Sequence, residues 1–166
     1  SLTRQKDPER FLPTLIRACA ECGVALVVLR APTGCRASGA TRFLSPDKAL
    51  LLLSFRYLSD DHFWFTFFHE AGHLILHGEE ALFIEADEML DSVQEDEANR
   101  FAGDVLIPPE FKAELGKLPL THRDVIRFAV RAGVAPGIIV GQLQHQGRLP
   151  RNRLNGLKRR FRWSAP

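Results

Sequence analysis

Residues 63–77 of this chain read FWFTFFHEAGHLILH, and no other stretch limits the fold so tightly. Apolar side chains (Phe63, Trp64, Phe65, Phe67, Phe68, Leu74, Ile75, Leu76) run nearly all the way round a helix here, while His62, Thr66, His69, His73 and His77 recur every three or four residues in one stripe. A helix that is apolar on most faces is buried, so its polar stripe must meet partners or line a cleft, because a buried polar group left unsatisfied costs about 1–3 kcal/mol. Within the stripe lies His69-Glu70-Ala71-Gly72-His73. On a helix the two histidines stand about 6 Å apart along the axis and about 40° apart around it, so both imidazoles can reach one metal ion with Glu70 beside it. Two imidazoles and one further ligand would leave a zinc position open to water, whose proton the neighbouring carboxylate could take. The pattern predicts a catalytic site rather than a closed structural one.

The third ligand is expected from Glu95, which opens the next predicted helix (92–106). Asn99 shares its face one turn later and could accept the second ring N–H of a ligating histidine. Two readings compete. Ser92-Val93-Gln94-Glu95 forms a capping box that would engage Glu95 with the Ser92 backbone, although Asp91 with Gln94 caps equally well one residue earlier. Glu97 lies about 200° around the helix from Glu95, so the two cannot serve the same site, and the geometry favours Glu95. Gly72 and Gly103 are expected where the two helices approach. His77, about 12 Å along the axis from His69, is too distant for three successive turns to converge on one ion. It is expected to be hydrogen-bonded near the cleft, and with Tyr57 it is a candidate for substrate or oxyanion contact. His122 and His145 are further oxyanion candidates, and His62 is expected to be exposed or capping.

Around this centre the chain reads as an α+β fold. Asp7, Pro8 and Gly23 bound a helix over 8–22, whose interior Pro13 suggests a start nearer Leu12. Residues 24–29 form an apolar strand, and 41–44 and 49–55 a hairpin about Ser45-Pro46-Asp47-Lys48, giving a small antiparallel sheet of about three strands. Residues after Gly78 to about Leu90 are acidic and expected to be irregular, and Pro108-Pro109 ends the 92–106 helix. Short helices follow at 121–132 and 136–146. They match a helix-turn-helix at Ala129, Gly133 and Ile139, but the second carries no Lys or Arg, so a helix pair completing the fold is favoured over DNA reading. Residues 1–7 are expected to be a linker or a cloning remnant, 8–120 the metal-site domain and 121–166 a helical C-terminal extension packed on it.

Charge and cysteine usage limit the setting. Of 166 residues 45% are hydrophobic and 25% charged, ordinary for a globular domain, and the net charge is only +2. The charges are nonetheless segregated: nine acids and no base over 79–97, seven bases and no acid over 148–162. Solvated surfaces are the simplest reading of both blocks. No apolar run approaches the roughly 20 residues of a membrane span, and no signal-peptide layout opens the chain. Three cysteines form no regular framework, and Cys19 and Cys22 are expected to pack in a helix rather than bind metal. A cytoplasmic protein without a membrane partner is expected. Met89 is the only methionine, and a chain either processed or cut from a longer protein is expected.

FTFFHEAGHLILH followed by EDEANRFAGDVLIPP resembles the ImmA/IrrE family of zinc-dependent peptidases, in which an HExxH helix is followed by an E-x-E-A-N-x-F-A helix; the resemblance covers 24–109. It implies a zincin-like fold, a gluzincin-like metallopeptidase, His69, His73 and Glu95 as ligands of Zn2+, and Glu70 as general base. Mn2+ or Fe2+ would also suit a His₂Glu donor set. The implied substrate is a helix-turn-helix repressor in a mobile-element, toxin–antitoxin or stress-response circuit, with DNA reached through an upstream domain. Zincin-like peptidases hold extended substrates along an edge strand, and the 49–56 strand is the expected one. The competing expectation is a non-proteolytic regulator or antitoxin module whose metal site is structural or sensory.

Overall fold

The computed structural model describes residues 2–78, 82–84 and 92–163. The elements run α1 (Pro8–Glu21), β1 (Val24–Val28), β2 (Gly39–Ser45), β3 (Lys48–Leu53), α2 (Asp60–Leu76), β4 (Leu82–Ile84), α3 (Ser92–Leu106), α4 (Pro109–Lys117), α5 (His122–Ala132) and α6 (Pro136–His145). The α+β expectation holds.

The sheet has the order β1-β3-β2-β4 and is mixed rather than antiparallel. β2 and β3 form the expected hairpin, closing with Ser45 opposite Lys48, but β1 pairs parallel to β3, Val24 opposite Ala49 through Val28 opposite Leu53. Hydrophobic pattern marks a strand yet carries no direction, which follows from where α1 and the 29–38 connection return the chain. Two consequences correct the sequence reading. β3 lies between β1 and β2, so it has no open edge for a substrate. Leu82–Ile84, inside the acidic segment read as irregular, forms β4 against β2, Thr41 opposite Phe83.

α1 starts at Pro8 rather than near Leu12. Asp7 caps it by accepting from the Glu9 N–H, and Pro13 sits exposed one turn inside. So early in the helix the missing N–H forfeits a single ladder bond, which the cap and the burial of Phe11 and Leu15 offset. α2 is the hub. Trp64, Phe63 and Phe67 are buried, with Phe11, Phe55 and Phe161 adding ring contacts of 4.9–6.0 Å around Phe63 and Phe11. Phe161 and Trp163, which packs on Phe55 at 5.9 Å, dock the C-terminal tail.

Pro108-Pro109 ends α3 but also begins α4, with Pro109 in the first turn where its lack of an N–H costs nothing. α5 ends in left-handed Gly133 (φ +74°), and α6 follows with Gly137, Ile138, Ile139, Val140, Gln142 and Leu143 buried. A helix so covered has no face to lay in a groove of DNA, so this pair completes the core. The basic tail is not simply solvated: Lys158 pairs with Asp61 at 2.6 Å, both nearly inaccessible. Arg159 Nη1 donates to the carbonyls of Arg4 and Gln5 at 2.9 and 3.1 Å, tying the residues read as a linker to the tail. All three cysteines are free; Cys19 packs against the core, whereas Cys22 is exposed rather than packed.

Candidate metal centre

α2 presents His69, Glu70 and His73 toward α3 and β2, and all three are at most 3% exposed. The helices can close because Gly72 has no side chain: a Cβ there would stand 3.3 Å from the Ala98 Cα and 3.1 Å from the Phe101 ring. The approach expected of Gly72 is therefore present, but its counterpart is Ala98. Gly103 instead faces Gln142 of α6. With α3 this close, Glu95 reaches both histidines, its Oε2 lying 3.3 Å from His69 Nε2 and its Oε1 3.1 Å from His73 Nε2. The two Nε2 atoms are 3.1 Å apart.

Hydrogen bonding fixes which nitrogens carry protons. Asn99 Oδ1 lies 3.1 Å from His69 Nδ1 and can only accept, so that nitrogen is protonated. Glu97 Oε2 accepts from His77 Nε2 at 3.1 Å, which leaves His77 Nδ1 to accept from His73 Nδ1 at 3.0 Å. In the neutral rings both remaining Nε2 atoms are therefore lone pairs. Neutrality follows from burial, which lowers the His69 pKa and, together with the neighbouring His69 and His77, brings His73 down to about 4.

Two lone pairs and a carboxylate facing one another at 3.1–3.3 Å repel unless a proton or a metal cation lies among them. The spacing suits one, since ligand atoms at about 2.0–2.1 Å from a tetrahedral zinc stand about 3.3 Å apart. The donor set of His69, His73 and Glu95 could therefore hold a divalent ion, with Asn99 and the His77–Glu97 pair fixing the ring tautomers behind it.

Glu70 is 1% exposed and packs against the backbone of β2. A Cβ on Gly39 would fall 2.6 Å from the Glu70 Cγ and closer still to Oε1. Gly39 thus makes room for the carboxylate beside the donor cluster. No sequence pattern links the two residues, because they meet only once the sheet is assembled on α2.

A family model describes the IrrE N-terminal-like domain of a peptidase family, and it matches residues 24–143 of the chain. The chain belongs to this IrrE N-terminal-like family. The match begins at β1 and runs through the donor cluster into α6. No curated protein matches the chain.

Within this IrrE N-terminal-like domain the other singled-out residues fall into two groups. His77 and Glu97 stand behind His73, so His77 supports the cluster rather than facing a substrate, and Glu97 has the separate place expected of it. The capping alternative for Glu95 involves Asp91 and the Ser92 side chain, which lie outside the described residues. Adjoining the cluster through Asn99 and Phe65 is an open cleft of about 600 Å³, lined also by Tyr57, His62, His145 and several arginines among others. Tyr57 stacks on an exposed His62 at 4.2 Å, and His145 meets Phe65 at 5.7 Å. His122, exposed at the start of α5, does not line this cleft.

Proposed function

We propose that this chain is a zinc-dependent endopeptidase. The observation that carries the proposal is the facing of two neutral imidazole lone pairs and the Glu95 carboxylate, with a buried second carboxylate, Glu70, beside them. A divalent ion held by His69, His73 and Glu95 would supply Lewis acidity toward a peptide carbonyl and toward water. Glu70 takes the proton of the attacking water and passes it to the departing amine, so that the C–N bond breaks without expelling an amide anion. Its burial beside Gly39 keeps it aimed in one direction and raises the strength of its electrostatic interactions. Asn99 and the His77–Glu97 pair hold the histidine rings in the orientation that points Nε2 inward.

Membership of a peptidase family supports this reading, as does the cleft lined by Asn99, the hydrogen-bond partner of His69. By the ImmA/IrrE resemblance the substrate is a helix-turn-helix repressor in a mobile-element, toxin–antitoxin or stress-response circuit, cleaved in the cytoplasm. No helix among the described residues is long and apolar enough to cross a membrane. Incubating the protein with the repressor encoded beside it tests the reaction. Glu70→Gln should keep its metal and cleave about 10²–10⁴-fold more slowly; equal cleavage by wild type and variant would remove Glu70 from the mechanism.

A further inference from the structure

The cleft beside the donor cluster has a composition that its position does not require. Among its described lining residues are Arg36, Arg56, Arg151, Arg160 and Lys158, against a single acid, Asp61. That acid is spent: Asp61 is buried and paired with Lys158 at 2.6 Å, and the same Lys158 donates to Gln144 Oε1 at 2.8 Å. Four exposed guanidiniums therefore share one hollow with no described counter-charge in its wall. Two of them are oriented by the fold. Arg56 donates to the Arg36 carbonyl at 2.6 Å and lies over the Tyr57 ring at 5.1 Å, while Arg160 donates to the Tyr57 carbonyl at 3.3 Å. Like charges gathered in a concave wall repel one another and focus a positive potential that an anionic ligand relieves.

The inner end of the cleft adjoins the reacting groups. Asn99 is bonded to His69, Phe65 lies against the His69 ring at 6.2 Å, and Ser38 precedes the Gly39 that packs on Glu70. A chain passing the donor cluster beside Asn99, Phe65 and Ser38 would enter this hollow. We infer that it is a specificity subsite for a peptide segment carrying Asp or Glu next to the scissile bond, so that the preferred substrates are acidic on one side of the cut. This rests on the peptidase reading of the same site. A peptide is favoured over nucleic acid because the cleft adjoins the donor cluster through Asn99, Phe65 and Ser38, and because two of its four arginines are tied to backbone carbonyls rather than strung along a surface to follow phosphates.

The test measures binding apart from cleavage. Metal-loaded Glu70→Gln protein is titrated into three labelled short peptides that differ only in having acidic, neutral or basic side chains on one flank. The acidic peptide should bind about tenfold or more tightly than the neutral one, and the preference should shrink at about 0.5 M salt, where the Debye length is about 4 Å. Arg36→Glu with Arg151→Glu, both exposed side chains, should shift the preference toward the basic peptide, an outcome that misfolding cannot produce. Equal affinity for acidic and neutral peptides overturns the inference. So does a single-stranded DNA that displaces the acidic peptide and binds more tightly, with the same dependence on these arginines. Failure of the peptidase reading shows separately, as wild-type protein that binds the acidic peptide selectively but cuts none of the three.

Discussion

At the scale of single residues, the centre divides into what four residues of spacing dictate and what only tertiary contact can reveal. His69 and His73 share a helix face by geometry alone, so their convergence was legible, and Glu95 with Asn99 followed from the same rule on α3. Gly39 was not legible, because its value comes from a Glu70 side chain 31 positions away that meets it across the sheet. Its contribution can be separated from the metal. Gly39→Ala would push the Glu70 carboxylate out of its place, since the new Cβ would lie 2.6 Å from the Glu70 Cγ. The variant should retain its metal and lose about 10–10²-fold in kcat, the scale of misplacing a catalytic group by about 1 Å. Steady-state kinetics alongside metal content would show this; unchanged kcat would mean that Glu70 relaxes without consequence.

At the scale of elements, the ends of α2 explain why the C-terminal part of the chain belongs to the same core. Asp60 and Asp61 open α2 and are buried under α6, where Gly137 and Gly141 leave space for their carboxylates: a Cβ on Gly137 would stand 2.8 Å from Asp60 Oδ2. The tail supplies the Arg159 N–H to Asp60 Oδ1 at 3.0 Å and the Lys158 ammonium to Asp61. Burial raises the Asp60 pKa from 3.8 to about 6, with the Arg159 N–H opposing it and the charge of Asp61 adding to it. A carboxyl whose folded pKa lies above its unfolded value contributes stability that is present below pH 3.8 and lost as pH rises through about 6. The loss is at most about 3 kcal/mol for a shift of this size. Asp60→Asn removes the titration, so the stability difference, variant minus wild type, should grow in the variant's favour between pH 4 and pH 7 by roughly 1–3 kcal/mol. Chemical denaturation of both proteins across that range checks it, and a difference independent of pH would show that Asp60 does not titrate there.

The element pattern also shows where sequence reasoning stopped. Hydrophobic period and turn residues located α2, α3 and the β2–β3 hairpin. The three apolar residues of β4 were hidden in an acidic context too short to show a period, and Pro108-Pro109 was read as a stop when Pro109 also starts α4. Strand direction and order belong to the assembled sheet, so the parallel β1–β3 pairing, and with it the loss of β3 as an edge, had no signal in the sequence.

At the scale of the whole molecule, helices from both halves of the chain and the basic tail converge on α2, and the family match at 24–143 takes in α2, α3 and most of α6 but stops before the tail. The polar stripe along 62–77 is thereby shared out: His69 and His73 to the donor cluster, His77 to its support, and His62 and Thr66 to the cleft. The basic residues of 148–162 divide likewise, Lys158 and Arg159 to internal bonds and Arg151 and Arg160 to the cleft wall. The account stands on the donor cluster requiring a cation. Metal analysis of the purified full-length chain, with a thermal melt before and after chelation, tests that most directly. About one equivalent of zinc per chain, a lower Tm after chelation and loss of the metal in Glu95→Ala are predicted, since a ligand bound only by the folded state stabilises it. A chain that binds no divalent ion, and melts identically with and without chelator, would contradict the account.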